Sequence, residues 1–517
     1  MARILDTEAS RLIEQQCLDQ QKSQPERNRW GQFATPPELS LDIAKYAYAR
    51  LCRNRTMLRF IDPAIGTGSF FSAMIQTFPA EMLSHAIGVE LDPRFADAAR
   101  RLWGKHGLRV VQGDFTEQSP PPASDTYSLL LTNPPYVRHH HLTAEQKARL
   151  GGRVAARLNL RISGLAGLYC YFLLLSDAWL ADGALSIWLI PSEFMDVNYG
   201  ETIRQYLVEN VKLLHIHRFC PTQVQFDDAL VSSAIVVFEK SSPGKSDRVE
   251  FSFGGSLGKP DMVQYVDRSA LRRSHKWTNL FECSDNGRKA SSVVLGELFQ
   301  VTRGVATGNN GFFVLPYTDA RRLGIPMRFL QPIIPSPRHM AEVVIEADDK
   351  GYPLLDKRLA LIDCPLPEEK VQEMYPEFWS YLASGKAKGV HEGYLASRRT
   401  PWYSQEKREA PPILCTYMGR GKEHPFRFIR NKSNAIAANV YLLLYPKGEL
   451  KSRLAEEPAL WEKVFEAMRG IGGAEFINEG RVYGGGLHKM EPAELKRLPA
   501  EAIAKVAGLN LQKTFAF

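Results

Sequence analysis

The sequence predicts an α/β protein whose first half is built on a parallel sheet with one ligand site at its carboxyl edge. Four short apolar segments follow one another, and each ends in a polar or glycine-containing signature. Helical segments separate them, as expected of parallel strands joined by crossover helices. Since the carboxyl ends of parallel strands meet at one edge, the four signatures should form a single site. The predicted strands are Met57–Asp62, Ala86–Glu90, Leu108–Gln112 and Leu129–Leu131.

The composition is that of an ordinary globular protein with an excess of positive charge. The chain has 517 residues, of which 44% are hydrophobic and 24% charged, and its formal net charge is +8. This length suits about two to four domains, and the charge favours a polyanionic partner such as nucleic acid. Apolar runs of membrane-spanning length and an apolar signal sequence are both missing, so we expect a cytoplasmic protein. The 7 scattered cysteines are typical of reduced thiols.

Residues 1–30 are predicted to form a polar, helical N-terminal arm. The predicted α/β half follows, and its first helix is expected after Thr35. A hydroxyl at Thr35, prolines at 36 and 37 and an acid at Glu38 together favour a helix start with Thr35 as its N-cap. Taken alone, a capped helix explains these residues.

The first strand ends at Asp62, and a loop containing Gly66 and Gly68 leads into a helix. These glycines allow positive φ and let a ligand approach backbone N–H groups. The dinucleotide fingerprint has a third glycine where this chain has Phe71, which disfavours a nicotinamide cofactor. Glu90 lies about 20 residues further on, where α/β nucleotide sites place an acid on ribose hydroxyls.

The fourth strand ends in Asn133-Pro134-Pro135-Tyr136. Proline has no N–H and a fixed φ, so the ladder stops here with the carbonyl of Pro134 free to accept. The amide oxygen of Asn133 is a second acceptor beside the aromatic ring of Tyr136. Two acceptors next to a flat ring suit an exocyclic amino group on a planar heterocycle. The competing interpretation is a proline-rich turn after a buried strand.

The order of these motifs resembles that of S-adenosylmethionine (SAM)-dependent DNA adenine-N6 methyltransferases of the gamma class. This TaqI-like group contains restriction-modification and orphan enzymes. Between Gly31 and Tyr136 the chain has G-Q-x-x-T-P, D-P-A-x-G-x-G-x-F, an acidic strand end, G-D-F and N-P-P-Y. The resemblance continues through Gly167-Leu168-Tyr169 and a strand that ends in Pro191-Ser192-Glu193-Phe194. It implies a Rossmann-like methyltransferase domain followed by a mixed α/β target-recognition domain. The turn-rich linker at residues 241–247 marks the boundary between them, which gives domains at 1–30, 31–242 and 243–517.

The resemblance also implies a role for each motif residue. Thr35 would cover the methionine end of SAM, and the loop after the first strand would shape the pocket for its amino-acid part. Glu90 would bind the ribose and Asp114 the adenine amino group. The cofactor-binding residues so implied are Thr35, Asp62, Ala64, Gly66, Gly68, Glu90, Asp114 and Phe115.

On the target side, Asn133 and the Pro134 carbonyl would hold the amino group of the base, and Tyr136 and Phe226 would sandwich its ring. The catalytic residues so implied are Asn133, Pro134, Pro135, Tyr136 and Phe226. Holding both amino hydrogens out of the ring plane would localise the nitrogen lone pair for attack on a methyl group. Because that nitrogen is paired and stacked in a duplex, the adenine has to be flipped out of the double-stranded DNA.

Basic and aromatic clusters in the second half are expected to contact DNA. Cations suit phosphates, and interleaved rings suit unstacked bases, although a solvated basic face is an equally simple explanation for any one residue. The candidate DNA-binding residues in the second half are Arg303, Thr307, Asn309, Arg399, Trp402, Arg420, Lys422 and Lys489, and Arg138 and His139, directly after the N-P-P-Y motif, are added to them.

We predict neither a metal site nor a fused nuclease. Consecutive residues point in different directions, so His139, His140 and His141 cannot easily share one ion. His215 and His217 share a strand face but lack a third ligand. A separately encoded restriction endonuclease is an expected partner.

Two other functions stay open. Protein-glutamine N5 methyltransferases also have an N-P-P-Y motif, but they lack a large basic second half. A catalytically inactive DNA-binding subunit is disfavoured by the intact segments at Gly66–Gly68 and Asn133–Tyr136. Within DNA methylation, asparagine rather than serine at position 133 argues against cytosine N4.

Overall fold

The computed structural model describes residues 2–52, 57–220, 232–244, 246–281, 293–421, 425–483 and 487–509. The chain forms two compact units: Met1–Asp285 with Tyr483–Gly485, and the remainder of the chain from Asn286. No helix within the described ranges is long and apolar enough to cross a membrane.

The first unit contains a nine-stranded sheet. Its strands are β1 Leu58–Asp62, β2 Leu83–Glu90, β3 Leu108–Gln112, β4 Tyr127–Thr132, β5 Leu180–Pro191, β6 Lys212–Arg218, β7 Ser233–Glu239, β8 Arg248–Phe253 and β9 Met262–Asp267. They lie in the order β3-β2-β1-β4-β5-β7-β6-β8-β9. The pairs from β3 to β5 are parallel, whereas β7 is antiparallel to both of its neighbours. This confirms the predicted α/β class and the Rossmann-like parallel half.

Helices cover both faces of this sheet. They are α1 Ala2–Gln20, α2 Gln24–Trp30, α3 Pro37–Leu51, α4 Ser69–Thr77, α5 Pro93–Trp103, α6 Ala144–Leu158, α7 Leu168–Ser176, α8 Glu201–Glu209 and α9 Arg268–Arg273. Strand β4 is buried along its whole length, because its alternate residues pack into the two hydrophobic clusters on opposite faces of the sheet. A strand buried on both faces reads as a continuous apolar run, as Leu129–Leu131 does.

Two details differ from the sequence-based expectations. Helix α3 begins at Pro37 with Pro36 as its N-cap, and no side chain caps it. Thr35 therefore does not cap the helix; its hydroxyl accepts a hydrogen bond from Asn133 instead. Beyond residue 242, where we expected the catalytic domain to end, β8 pairs in parallel with β6 and β9 pairs with β8. The sheet, and with it the first unit, therefore extends further along the chain.

The second unit is mixed α/β, as predicted. Its strands form sheets of five, four and three strands within the described residues. They are β10 Phe299–Arg303, β11 Val314–Pro316, β12 Leu330–Ile334, β13 Val344–Ile345, β14 Leu359–Ile362, β15 Ile413–Thr416, β16 Met418–Arg420, β17 Phe428–Asn431, β18 Ile436–Ala437, β19 Tyr441–Pro446, β20 Arg481–Tyr483 and β21 Leu487–Lys489. The helices are α10 Leu295–Leu298, α11 Asn310–Phe313, α12 Tyr317–Arg322, α13 Glu368–Met374, α14 Pro376–Ala387, α15 Gly448–Glu456, α16 Leu460–Arg469, α17 Gly473–Glu479, α18 Pro492–Leu495 and α19 Glu501–Val506.

Candidate active site

A cavity of about 800 Å³ lies in the first unit, where β1, β2, β3 and β4 end. Its wall includes Gly66 after β1, Glu90 at the end of β2, Asp114 after β3 and Asn133 after β4. The four strand-end signatures therefore meet at one place, as the parallel order requires. The volume is within the range of pockets that enclose a small-molecule ligand.

A hydrogen bond connects the glycine-containing loop after β1 to Glu90 at the end of β2. The N–H group of Gly66 donates to Glu90 Oε2 over 3.0 Å, and Gly66 has a φ of 55°. Gly68 has a φ of 95° and precedes α4, but it does not line the cavity. A Cβ there would lie 2.4 Å from the Trp103 indole nitrogen. Gly68 thus allows the loop to pack against α5, while Gly66 faces the cavity.

Asp62 is almost completely buried beside this loop, with 1% of its surface exposed. Its Oδ1 accepts hydrogen bonds from the Thr132 hydroxyl at 2.7 Å and from the Ala64 N–H group at 3.0 Å. The pKa of Asp62 is raised to about 7, because burial and, to a smaller extent, the nearby charge of Glu90 outweigh the two hydrogen bonds that lower it. Asp62 is thus poised to respond to a positive charge in the cavity.

Glu90 and Asp114 present carboxylates from neighbouring strand ends. Glu90 Oε1 accepts from the N–H group of Asp92 at 2.8 Å, and burial raises the Glu90 pKa. Asp114 Oδ1 accepts from the backbone N–H and the hydroxyl of Thr116. Phe115 is buried between Phe172 and Trp179. The cavity therefore has acceptors at two strand ends and an aromatic ring beside one of them.

Asn133 has an unusual hydrogen-bonding pattern. Its amide nitrogen donates to the Phe33 carbonyl at 3.0 Å and to the Thr35 hydroxyl at 3.1 Å. Its amide oxygen is buried and has no hydrogen-bond partner among the described residues. A buried carbonyl without a partner is costly, because it has lost its hydrogen bonds to water. The two donor contacts fix the orientation of the amide, and they leave this buried oxygen, on a residue that lines the cavity, without a partner in the described part of the chain.

The prolines and the tyrosine of the motif are also held in place. Pro135 lines the cavity, and Pro134 is buried. The Tyr136 N–H group donates to the Gly31 carbonyl at 3.0 Å, and its hydroxyl donates to the Leu189 carbonyl at 3.1 Å. The Tyr136 ring is only 7% exposed, does not line the cavity and lies 5.6 Å from the ring of Phe33. Phe226, its predicted partner, lies outside the described residues.

The N-terminal arm contributes side chains that sequence reasoning missed. Arg11, Gln15 and Lys22 line the same cavity, although no motif marks them. Such a contact joins segments that are far apart in the chain, so no local sequence pattern indicates it. The only signal in the sequence was the position of the arm directly before the Gly31–Thr35 segment.

The predicted DNA-binding residues divide into two groups. Arg138, Arg303, Asn309 and Arg420 are exposed, and His139 and Lys489 are partly exposed. Thr307 and Trp402 are buried, with 1% and 7% exposure, so the DNA contacts expected of them do not fit this structure. Lys422 lies outside the described residues.

The buried candidates have structural roles instead. The Thr307 hydroxyl donates to Asn310 at 2.6 Å, and the Trp402 indole donates to Glu368 at 3.1 Å. Arg399 donates to the carbonyls of Ala306 and Thr307. Together these contacts hold the loop after β10 in place. A basic or aromatic residue in such a cluster therefore need not face a ligand.

The two histidines of β6 are fully buried. His215 Nδ1 lies 2.9 Å from the Tyr46 hydroxyl, and the rings of His215 and His217 approach the Ser252 hydroxyl at 2.6 and 2.8 Å. The histidines therefore connect β6 to β8 and α3. No group of three or more metal-ligating side chains occurs among the residues that the structure describes.

Acid should destabilise the first unit through this pair. Burial lowers the pKa of His215 to about 3 and that of His217 to about 4, below the ordinary value of 6.5. The folded state therefore keeps both rings neutral, and the unfolded chain gains protons first as the pH falls below 6.5. We expect the free energy of unfolding to drop by about 2 kcal/mol per histidine at pH 5. Calorimetry should show the loss, and an equally steep acid slope in His217→Gln would contradict this origin.

Two family models and several curated relatives that match this chain are restriction-modification or type II methyltransferases. The family model "Eco57I restriction-modification methylase" matches residues 92–225, and "Type II methyltransferase M.Eco57I, C-terminal domain" matches residues 276–514. Type II methyltransferase M.XamI of Xanthomonas campestris pv. amaranthicola is 28% identical over 453 residues, which are 85% of this chain and 80% of that protein. Type II methyltransferase M.AccI of Acinetobacter calcoaceticus is 24% identical over 486 residues, or 91% of this chain and 85% of that protein.

Among solved structures, the type IIL restriction-modification enzyme MmeI in complex with DNA has a TM-score of 0.57 at 13% identity. The match covers 97% of this chain and 79% of the MmeI chain, which shows a common fold. The two family models match the methyltransferase half and the C-terminal half separately, and the two curated relatives span both. The chain therefore belongs to the Eco57I family of type II restriction-modification methyltransferases, which are SAM-dependent DNA methyltransferases.

Proposed function

We propose that the protein transfers a methyl group from SAM to N6 of an adenine flipped out of double-stranded DNA. The observation that supports this proposal best is the amide of Asn133. Its nitrogen is held by Phe33 and Thr35, and its buried oxygen has no hydrogen-bond partner among the described residues. An exocyclic amino group supplies the N–H donor that this oxygen lacks. The carbonyl of Pro134 is the proposed acceptor for the second hydrogen.

The proposed contribution of Asn133 and Pro134 to catalysis is to position the amino group of the base. The lone pair of an adenine amino group is delocalised into the ring, and two acceptors that hold its hydrogens favour a pyramidal nitrogen with a localised lone pair. Placing that nitrogen in line with the methyl group turns a bimolecular displacement into an effectively unimolecular one. Extruding the base costs a few kcal/mol, which contacts in the pocket have to offset. We assign Phe226 to that stacking contact, whereas the Tyr136 ring is buried and does not line the cavity, so it would have to become exposed to stack on the base as predicted.

The donor set of the cavity fits SAM. Glu90 and Asp114 offer carboxylate oxygens to hydroxyl and amino groups, Phe115 offers a ring, and Gly66 leaves room near the backbone because no described atom lies within 4 Å of the position of its Cβ. When bound, SAM supplies an electrophilic methyl group. We assign Thr35, Asp62, Ala64 and Gly68 to the loops that shape its pocket.

DNA is the substrate and partner that the second half of the chain favours. This half matches the C-terminal domain of M.Eco57I, whereas a protein-glutamine methyltransferase has no need of such a unit. The predicted DNA contacts that we retain are exposed or partly exposed, namely Arg138, His139, Arg303, Asn309, Arg420 and Lys489. A separately encoded restriction endonuclease stays a predicted partner.

Methyl transfer from tritiated SAM to genomic DNA tests the proposal, followed by single-molecule sequencing of the product. We expect filter-bound label and N6-methyladenine within one short sequence motif. Label in N4-methylcytosine would overturn the choice of base. Transfer to a glutamine-containing peptide but not to DNA would favour the protein methyltransferase, and transfer to neither would favour an inactive subunit.

SAM binding should depend on pH through Asp62. The pKa of this carboxyl is about 7, so it is mostly neutral at pH 6 and mostly ionised at pH 8. SAM carries a net positive charge and prefers the ionised carboxylate. We expect its Kd to fall about tenfold between pH 6 and pH 8, which matches the change in ionised fraction. Titration calorimetry measures this, and an unchanged pH dependence in Asp62→Asn would assign it to another group.

A further inference from the structure

The N-terminal arm, α1 with α2, forms part of the wall of the proposed cofactor cavity. Arg11 and Gln15 of α1, Lys22 between the two helices, and Trp30 at the end of α2 all line it. Leu18 of α1 is buried against Phe95 and Ala98 of α5, and this is the small hydrophobic cluster beneath the arm. Polar contacts also attach the arm.

One polar attachment lies at the glycine loop. Arg11 is 1% exposed, and its guanidinium donates to the Thr67 hydroxyl at 3.1 Å while it also pairs with Glu8. The Thr67 hydroxyl donates in turn to Gln15 Oε1 at 2.7 Å. Thr67 lies between the two glycines of the loop, so its hydroxyl attaches α1 to the loop that shapes the cavity.

Lys22 makes a second, largely buried attachment between the arm and the wall of the cavity. Its ammonium donates to Asp92 Oδ2 at 2.7 Å and to Gln32 Oε1 at 2.6 Å, and it lies 5.3 Å from the centre of the Phe95 ring. The side chains of Lys22 and Asp92 are only 12% and 14% exposed. A pair this sheltered is screened by salt far less than a surface pair.

The two partners of Lys22 lead to the two halves of the active site. Asp92 donates its N–H group to Glu90, the carboxylate assigned to the cofactor. Gln32 directly precedes Phe33, whose carbonyl holds the amide of Asn133. Lys22 therefore contacts the cofactor side and the acceptor side of the cavity through one residue each.

We propose that Lys22 is a positioning residue that holds the arm as a wall of the cofactor cavity and thereby sets how fast SAM exchanges. The proposal rests on the placement of SAM in this cavity described above. SAM leaves slowly while Lys22 holds the arm, and quickly once the arm can move away from Asp92 and Gln32. Lys22 touches neither reacting group.

Release of tritiated SAM from the full-length protein, chased with excess unlabelled SAM in the absence of DNA, measures this directly. Lys22→Met keeps the length of the side chain and its packing on Phe95, and Asp92 keeps its bonds to Arg94. We expect Lys22→Met to release SAM at least tenfold faster than the parent. Lys22→Arg, which retains the charge, should restore slow release. Equal rates in Lys22→Met and the parent would overturn the proposal.

The chain offers a matched control in a second ion pair that attaches the same N-terminal arm to α5. Arg101 of α5 pairs with Glu14 of α1 at 2.7 Å, but this pair is exposed and does not line the cavity. Arg101→Met should release SAM within twofold of the parent rate. If it accelerates release as much as Lys22→Met does, then any loosening of α1 speeds SAM release, and the specific role of Lys22 is refuted. Glu90→Ala tests the cofactor placement separately. If Glu90→Ala releases SAM faster but Lys22→Met does not, only the role of Lys22 is refuted. If neither variant changes the release rate, the placement of SAM in this cavity is refuted as well.

Limited trypsin digestion of the parent protein gives a test that needs no variant. The arm offers cleavage sites at Arg27 and Arg29. If SAM contacts the arm as a wall of its site, saturating SAM should slow cleavage there at least fivefold, while cleavage in the second unit stays unchanged. Cleavage of the arm at the same rate with and without SAM would contradict the proposal.

Discussion

Asn133→Ala is expected to lower the rate of methyl transfer by about three orders of magnitude while leaving SAM affinity within about threefold. The substitution removes the only acceptor of the motif whose position the structure fixes through two hydrogen bonds. Losing one preorganised polar contact to the reacting group of a substrate typically costs about 10²–10³ in turnover. The amide makes no hydrogen bond to the glycine loop or to Glu90, so the cofactor side of the cavity should be unaffected.

Single-turnover kinetics on a duplex containing the target motif, with calorimetry for SAM, separates the two effects. Thr35→Val is the graded companion, because it keeps the shape of the side chain and removes one of the two bonds to the Asn133 nitrogen. We expect it to slow transfer about tenfold. A large loss of SAM binding in Asn133→Ala would assign Asn133 to the cofactor, and near-parental transfer would remove it from the acceptor site.

The sequence predicted most of the parallel half because its signals are local. Apolar strands, glycines with positive φ and acids at strand ends are each recognised within a window of about ten residues. The parallel order of the strands then brings these residues together at one edge of the sheet. Gly66, Glu90, Asp114 and Asn133 accordingly share one cavity. The same local reading misjudged Thr35, because its hydroxyl accepts from Asn133, which lies 98 residues further along the chain.

Contacts between distant segments account for the remaining differences. Strand β8 follows a turn-rich linker, and nothing near it shows that it pairs with β6. Trp402 lies in a basic, aromatic stretch that is typical of nucleic-acid contacts, but its ring packs near Phe312 and Phe313 in the second unit. A residue type indicates which contacts are chemically suitable, and only the tertiary structure decides which of them form.

The acceptor side of the cavity depends on a close approach between two backbones. The Gly31 carbonyl accepts from the Tyr136 N–H group at 3.0 Å, and the loop that starts at Gly31 carries Phe33 and Thr35 to Asn133. A single backbone contact thus brings the loop to the strand end. The position of the Asn133 amide depends on it, as does the part of the wall formed by Phe33.

Gly31→Ala should therefore abolish methyl transfer and lower the free energy of unfolding of the first unit by about 3 kcal/mol or more, because a steric conflict with backbone of about 1–3 kcal/mol adds to a left-handed backbone cost of about 1–2 kcal/mol. Gly31 has a φ of 62°, and a Cβ there would lie 2.3 Å from the Tyr136 nitrogen and 2.5 Å from that of Val137. These are backbone atoms, which cannot rotate away as a side chain does.

Gly66→Ala is the matched control for the backbone conformation of Gly31. Its φ is 55°, but no described atom lies within 4 Å of the added Cβ, so only the left-handed backbone cost of about 1–2 kcal/mol remains. Calorimetric melting of both variants isolates the steric part, since the conformational cost is common to the two. Melting temperatures that agree within about 2 °C would show that the loop can move away from Tyr136 without loss. The close approach of Gly31 would then not be what holds Asn133 at the cavity.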